Sequence, residues 1–241
     1  MVPISDENSI RHAPVASRTI LWACCIIFLW QGLEYPWGRF ASQALGFTPA
    51  YFFTGGTPHP YLAWTPFSVT LITYMFLHAG WLHLLGNMLC LWIIGRDVED
   101  ALGQPGFIIF YLLCGMAAAL AHALLNPLST LPVVGASGAI SGLLGACLVL
   151  YPRGRSKGLV PIFIVWDVVR LPAYVVLAFW FGVQLLYDVA GPDIGGGVAF
   201  GAHVGGFIAG MLLAPVFMFV TGRRRHRLYD RPHDGERGLL R

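Results

Sequence analysis

The 241-residue chain is 56% hydrophobic and only 11% charged, with a formal net charge of +3 and a mean hydropathy of +0.66. Soluble domains carry about a quarter charged residues, so a soluble globular protein is excluded and a bilayer is needed to solvate this much apolar surface. Residues 40–95, 101–152 and 194–222 contain no Asp, Glu, Lys or Arg; a spanning helix takes about 20 mostly apolar residues, which points to one polytopic membrane domain.

The pattern predicts an all-α fold, a polytopic membrane bundle of six transmembrane helices with a long interfacial first loop. Residues 1–17 read as a polar cytoplasmic tail. The first span, 18–33, lacks the small-x-small exit of a cleavable signal and is read as retained. The first loop, 32–80, is rich in aromatics, Pro and Gly (Tyr35, Pro36, Trp37, Tyr51, Phe52, Phe53, Trp64, Pro66). That composition suits the outer membrane interface, where amphipathic rings settle. Within it, the break at Gly80 sets Val69–Leu77 apart as an interfacial element. The second span is predicted over 81–95, ending at the charges Arg96, Asp97, Glu99 and Asp100. The third covers 106–125 and stops at Asn126-Pro127. The fourth covers 137–151, the fifth 173–187 and the sixth 200–220, closing a membrane domain of residues 18–221 before a basic tail, 222–241.

Basic residues set the orientation. With both termini on one side, that side receives Arg11, Arg18, Arg96, Arg153, Arg155, Lys157, Arg170 and every tail arginine, and the other side only Arg39. The N and C termini are therefore expected in the cytoplasm. The cluster Arg223, Arg224, Arg225, His226, Arg227 reads as a stop-transfer anchor on anionic lipid rather than a nucleic-acid patch. The five cysteines, Cys24, Cys25, Cys90, Cys114 and Cys147, lie in apolar runs and read as small buried hydrophobes; no spacing supports a metal site. The compact chain without a transit peptide suggests a bacterial inner membrane.

Polar groups in apolar helices are costly and ask for a structural or chemical reason. His83 and Asn87, four residues apart, share a helix face. Ser137 lies between glycines, in Gly135-Ala136-Ser137-Gly138, where a loop becomes a helix. His203 precedes Gly205, Gly206 and Gly210, and His122 stands alone near the end of the third span. At about 1.5 Å per residue, His83 lies roughly 20 Å above the inner boundary, Ser137 about 21 Å, and His203 about 25 Å less any tilt. In a hydrocarbon core about 30 Å thick, three spans thus bring functional side chains to one level beneath the outer face. The fourth span is too short to cross, so its start should sit below the surface. Non-helical backbone at that depth is tolerated only within protein or along a wet cavity.

Gly138 and Gly142 on the fourth span, and Gly206 and Gly210 on the sixth, are small-xxx-small pairs that let helix backbones approach closely. Such packing would bring Ser137 to His203. The imidazole would then take the serine proton as general base and return it to the leaving amine. The Ser137 N–H, the Asn87 amide and His83 would receive the oxyanion. Asp188 and Asp193 fall at or beyond a helix end, so a dyad is expected rather than a triad. This chemistry needs no cofactor. Ser141, one turn below Ser137, is expected to bond a backbone carbonyl, and His78 to help hold the first loop.

At these residues the sequence resembles the rhomboid family of intramembrane serine proteases. The likeness rests on Phe76-Leu77-His78-Ala79-Gly80-Trp81-Leu82-His83-Leu84-Leu85-Gly86-Asn87, on Gly135-Ala136-Ser137-Gly138 and on Ala202-His203 with Gly206. Glu99 with Gly103, and Leu171-Pro172-Ala173, add to it. The resemblance covers roughly residues 65–215. It implies a six-helix core, a Ser137–His203 dyad, oxyanion contacts from His83 and Asn87, and substrates that are transmembrane proteins entering beside the fifth helix. Two positions depart from the pattern of some members. Val69-Thr70 stands where those carry Trp-Arg in the first loop, and Ser141 stands where those carry an aromatic packed on the base. Rival readings are a non-catalytic relative that binds membrane helices, and a haem-binding subunit with His83 and His203 as axial ligands; the latter leaves Asn87 and the Gly-Ala-Ser-Gly element without a role.

Overall fold

A computed structural model describes residues 2–6, 13–33, 39–55, 66–151, 155–162, 165–172 and 200–221. The helices are α1 (Val15–Gln31), α2 (Arg39–Leu45), α3 (Pro49–Thr54), α4 (Phe67–Thr73, continued by a 3-10 turn at Tyr74–Phe76), α5 (Trp81–Leu102), α6 (Gln104–Leu125), α7 (Ser137–Leu150) and α8 (Phe200–Val220). α6 and α8 are each long and apolar enough to cross a membrane, and α4 with α5 is so as a pair bent by 90° at the break; α1 and α7 are shorter apolar helices. Val69–Leu77 therefore lies across the axis of α5, as the break at Gly80 suggests, and most of it is helical. The predicted fifth span, 173–187, lies outside the described residues, as do Asp188, Asp193 and the arginine-rich tail.

One prediction of a boundary fails for a physical reason. The second span does not end at Arg96: α5 runs on to Leu102, carrying Asp97 and Glu99 almost fully buried. The charges are admitted because they are used. Pro14 caps α1 without a side-chain hydrogen bond, and the two Glu99 oxygens accept from the Ala16 and Ser17 N–H groups at 2.8 Å each. A carboxylate at a helix N-terminus also answers the helix dipole. Arg96 Nε lies 3.4 Å from Asp97 Oδ1, and the Tyr151 hydroxyl donates to the Asp97 carbonyl at 3.2 Å. α1 likewise begins at Val15, three residues before the predicted start.

A second departure is a three-stranded antiparallel sheet, β1 (Val2–Asp6), β2 (Arg155–Ile162) and β3 (Val165–Pro172), in the order β1-β2-β3. It joins the N-terminal segment to a hairpin between α7 and the predicted fifth span. The rest of the described fold is helical, and the membrane body matches the all-α expectation.

The centre of the bundle is α8 packed on α7 and α6. A Cβ added to Gly206 would strike the Gly138 carbonyl oxygen, one at Gly210 the Gly142 carbonyl oxygen, and one at Gly205 the Ala121 Cβ. Glycine on both helices is what permits backbone-to-backbone contact. Around it sit Phe28, Met75, Leu91, Phe107, Phe110, Tyr111 and Ile140, all essentially without exposure. All five cysteines are free thiols, Cys24 and Cys114 fully buried and the other three partly so.

Candidate active site

The loop before α7 is held on both sides by main-chain groups. Phe47 and Val133 exchange both hydrogen bonds, N–H to carbonyl at 3.0 Å and 2.7 Å, which ties the first loop to this one. Two residues on, the Gly135 N–H donates to the Tyr74 carbonyl at 2.9 Å. Gly135 has φ +126°, a region L side chains rarely enter. A Cβ there would also lie 2.7 Å from both Cε1 and Nε2 of His83. Glycine is required twice over.

Ser137 follows as the first residue of α7, with Ala136 at the cap position making no side-chain cap. The serine is thus not a helix cap. Its Oγ lies 2.7 Å from His203 Nε2, on the fourth residue of α8, where the imidazole is 2% exposed. The Gly138–Gly206 and Gly142–Gly210 approaches lie one turn apart directly beneath this pair. The backbone N–H groups of the first turn of α7 have no partner within the helix and form the positive end of its dipole. One turn below, Ser141 Oγ donates to the Ser137 carbonyl at 2.7 Å, the back-bond expected of it.

From α5, His83 and Asn87 reach the same loop. The Ala79 N–H donates to His83 Nδ1 over a long 3.5 Å. This leaves Nε2 as the protonated nitrogen, the atom abutting Gly135. Asn87 is buried, its Nδ2 3.6 Å from the Cβ position of Gly135 and without a hydrogen-bond partner among the described residues. A buried donor left unpaired is costly and calls for an explanation. Its place beside the loop that leads into Ser137 supplies one.

The remaining predicted histidines lie to either side. His122 belongs to the end of α6: Asn126 donates to its carbonyl from the backbone at 2.9 Å and from Nδ2 at 3.3 Å. His78 is fully buried, its ring 5.3 Å from that of His83 in an edge-on arrangement. Its backbone is gripped by Gln31, a residue the sequence reading passed over although a polar amide in an apolar span is the signal that would have found it. Tyr74 was passed over as well. Its contribution to the site is a carbonyl, and its hydroxyl donates to the Gly115 carbonyl at 2.7 Å. Among the described residues, no group of three His, Cys, Asp or Glu is placed to hold a metal ion.

Comparison with known proteins bears on the family. The family model described as Rhomboid domain matches residues 66–219. The chain is 39% identical over 160 residues to Rhomboid-like protease 5 of Toxoplasma gondii, covering 63% of this chain and 16% of that protein. It is 33% identical over 144 residues to Rhomboid protease GluP of Bacillus subtilis (strain 168), covering 60% and 25%. Rhomboid-related protein 2 of Mus musculus is 32% identical over 141 residues, covering 58% and 45%. The chain therefore spans less than half the length of these relatives. With the family model covering well over half of the sequence, this chain belongs to the rhomboid family of integral membrane proteins.

Proposed function

We propose that this rhomboid-family chain is an intramembrane serine endopeptidase that hydrolyses peptide bonds in or beside transmembrane segments of membrane-protein substrates. The observation that carries the reading is the 2.7 Å contact between Ser137 Oγ and His203 Nε2 across two different helices. In the first step His203 Nε2 takes the Ser137 hydroxyl proton while Oγ attacks the scissile carbonyl. The oxyanion is received by the Ser137 N–H, Asn87 Nδ2 and His83 Nε2–H. The imidazolium then protonates the leaving amine. Water, deprotonated by the same imidazole, hydrolyses the acyl-enzyme and restores the serine. The relatives whose printed names call them proteases lend this support.

The fold is inferred to complete six spans, with residues 173–187 as the fifth, both termini cytoplasmic and membrane lipid as the surrounding partner. A bacterial inner membrane is the proposed location. The distribution of Lys and Arg supports the orientation. The haem alternative asks His203 Nε2 to ligate iron, whereas that atom here faces a serine hydroxyl at 2.7 Å.

Cleavage of a model transmembrane substrate in proteoliposomes tests the reading. Ser137→Ala and His203→Ala should abolish it, and Ser141→Ala should not. A fluorophosphonate should label Ser137 in the wild-type protein. Full cleavage by Ser137→Ala would sink the assignment.

A further inference from the structure

Gln31, the last residue of α1, is fully buried and spends both ends of its amide on one residue. Its Oε1 accepts from the His78 N–H at 3.0 Å, and its Nε2 donates to the His78 carbonyl at 3.3 Å. This is the pairing a neighbouring strand would make, and it sets the direction of the peptide planes on both sides of His78. The carbonyl of His78 and the N–H of Ala79 belong to one planar peptide group. That N–H is the donor to His83 Nδ1 at 3.5 Å. A chain of hydrogen bonds therefore runs from Gln31 Nε2 through the His78–Ala79 peptide to His83 Nδ1, and bonds in series polarise and strengthen one another. The His78 ring, packed edge-on to His83, is carried by the same backbone.

We propose that Gln31 is a positioning residue for the oxyanion side of the site: it holds the His78–Ala79 peptide so that His83 keeps its Nε2–H aimed at the loop ahead of Ser137. The inference rests on the reading of His83 as an oxyanion donor. Gln31 itself touches no reacting atom. It acts from the far end of the first span, so its removal should weaken turnover more than substrate binding.

The test is a double-mutant cycle between Gln31→Met and His83→Ala, with kcat and KM measured in proteoliposomes and thermal unfolding followed in parallel. Gln31→Met should lower kcat about tenfold or more with KM within about twofold. In the His83→Ala background the same substitution should cost less than about twofold, because linked residues do not lose energy independently. Losses that multiply equally in both backgrounds, or a wild-type kcat for Gln31→Met, would overturn the proposal. Should Gln31→Met not accumulate in folded form, Gln31→Glu provides a second reading. Its neutral acid both accepts and donates as the amide does, and its ionised form cannot donate to the His78 carbonyl. Its kcat should approach wild type at low pH and fall as pH rises through its own titration, and a pH profile parallel to wild type would count against the proposal. Ser137→Ala separates the two layers. If it is inactive while Gln31→Met keeps full kcat, only the positioning role falls; if it cleaves normally, the protease reading falls first.

Discussion

Ser137 sits one residue past the cap of α7, and that single step decides what its hydroxyl can do. At the cap the oxygen would accept from N–H groups of its own first turn; at the first helical position it turns outward to His203 Nε2, leaving those N–H groups for a ligand. Asn87 brings a donor with no partner among the described residues. Asn87→Ala should therefore cut kcat on the order of 10²-fold with little change in KM or thermal stability, since Nδ2 bonds to none of the described residues; wild-type kcat would remove it from the site. Gly135→Ala forces a side chain into a positive φ and against the His83 ring. Backbone strain of this kind costs on the order of 1–3 kcal/mol, and the separate clash of the new methyl with the imidazole is relieved by pushing His83 away. The rate of fluorophosphonate labelling of Ser137 should fall at least about tenfold, and an unchanged rate would show that the loop yields elsewhere. These polar residues were legible in the sequence because each is expensive in an apolar run. Gln31 is just as expensive, but it belongs to no short motif, and its partner lies 47 positions away.

The helices α7 and α8 owe their closeness to glycines that leave carbonyl oxygens of one helix against the Cα of the other. Gly206→Ala places a methyl on the Gly138 carbonyl, so the two backbones must separate and the hydroxyl–imidazole distance must grow. Cleavage should fall on the order of 10²-fold, measured against Ser141→Ala, whose only described bond returns to its own helix; equal activity of the two variants would deny the interlock its catalytic role. The small-xxx-small spacing made this interface readable in advance, as apolar runs made α6, α7 and α8 readable to within two residues at each end. The end of α5 was not. A run of Arg96, Asp97, Glu99 and Asp100 reads as a helix leaving the membrane, and the partners that keep it helical and buried, the first turn of α1 and Tyr151, are distant in sequence. The sheet β1-β2-β3 escaped for a similar reason: its first strand and its hairpin lie about 150 residues apart in the chain.

Across the whole molecule, α1 is fastened at both ends. Its N-terminus is bonded to Glu99, and its C-terminus ends at the Gln31 clamp on His78. The two anchors should separate experimentally. Glu99→Ala removes two hydrogen bonds to a charged group, each worth about 1.5–3 kcal/mol. It should lower the Tm clearly while the kcat of the folded protein stays within about twofold, because Glu99 is bonded to α1 and to no residue of the site. Gln31→Met, which also gives up two buried hydrogen bonds, should lower kcat as well as Tm, and a kcat loss in Glu99→Ala as large as that of Gln31→Met would merge the two roles. The strap that leads into Ser137 has a different kind of fastening. It hangs from Phe47 and Tyr74 by amides and carbonyls alone, groups that every residue except proline possesses. Apart from Gly135, whose positive φ calls for glycine, side chains along that strap and at its supports can vary without undoing these main-chain bonds. Truncating Val133 to alanine leaves the knots tied; proline at the same position unties the 2.7 Å one.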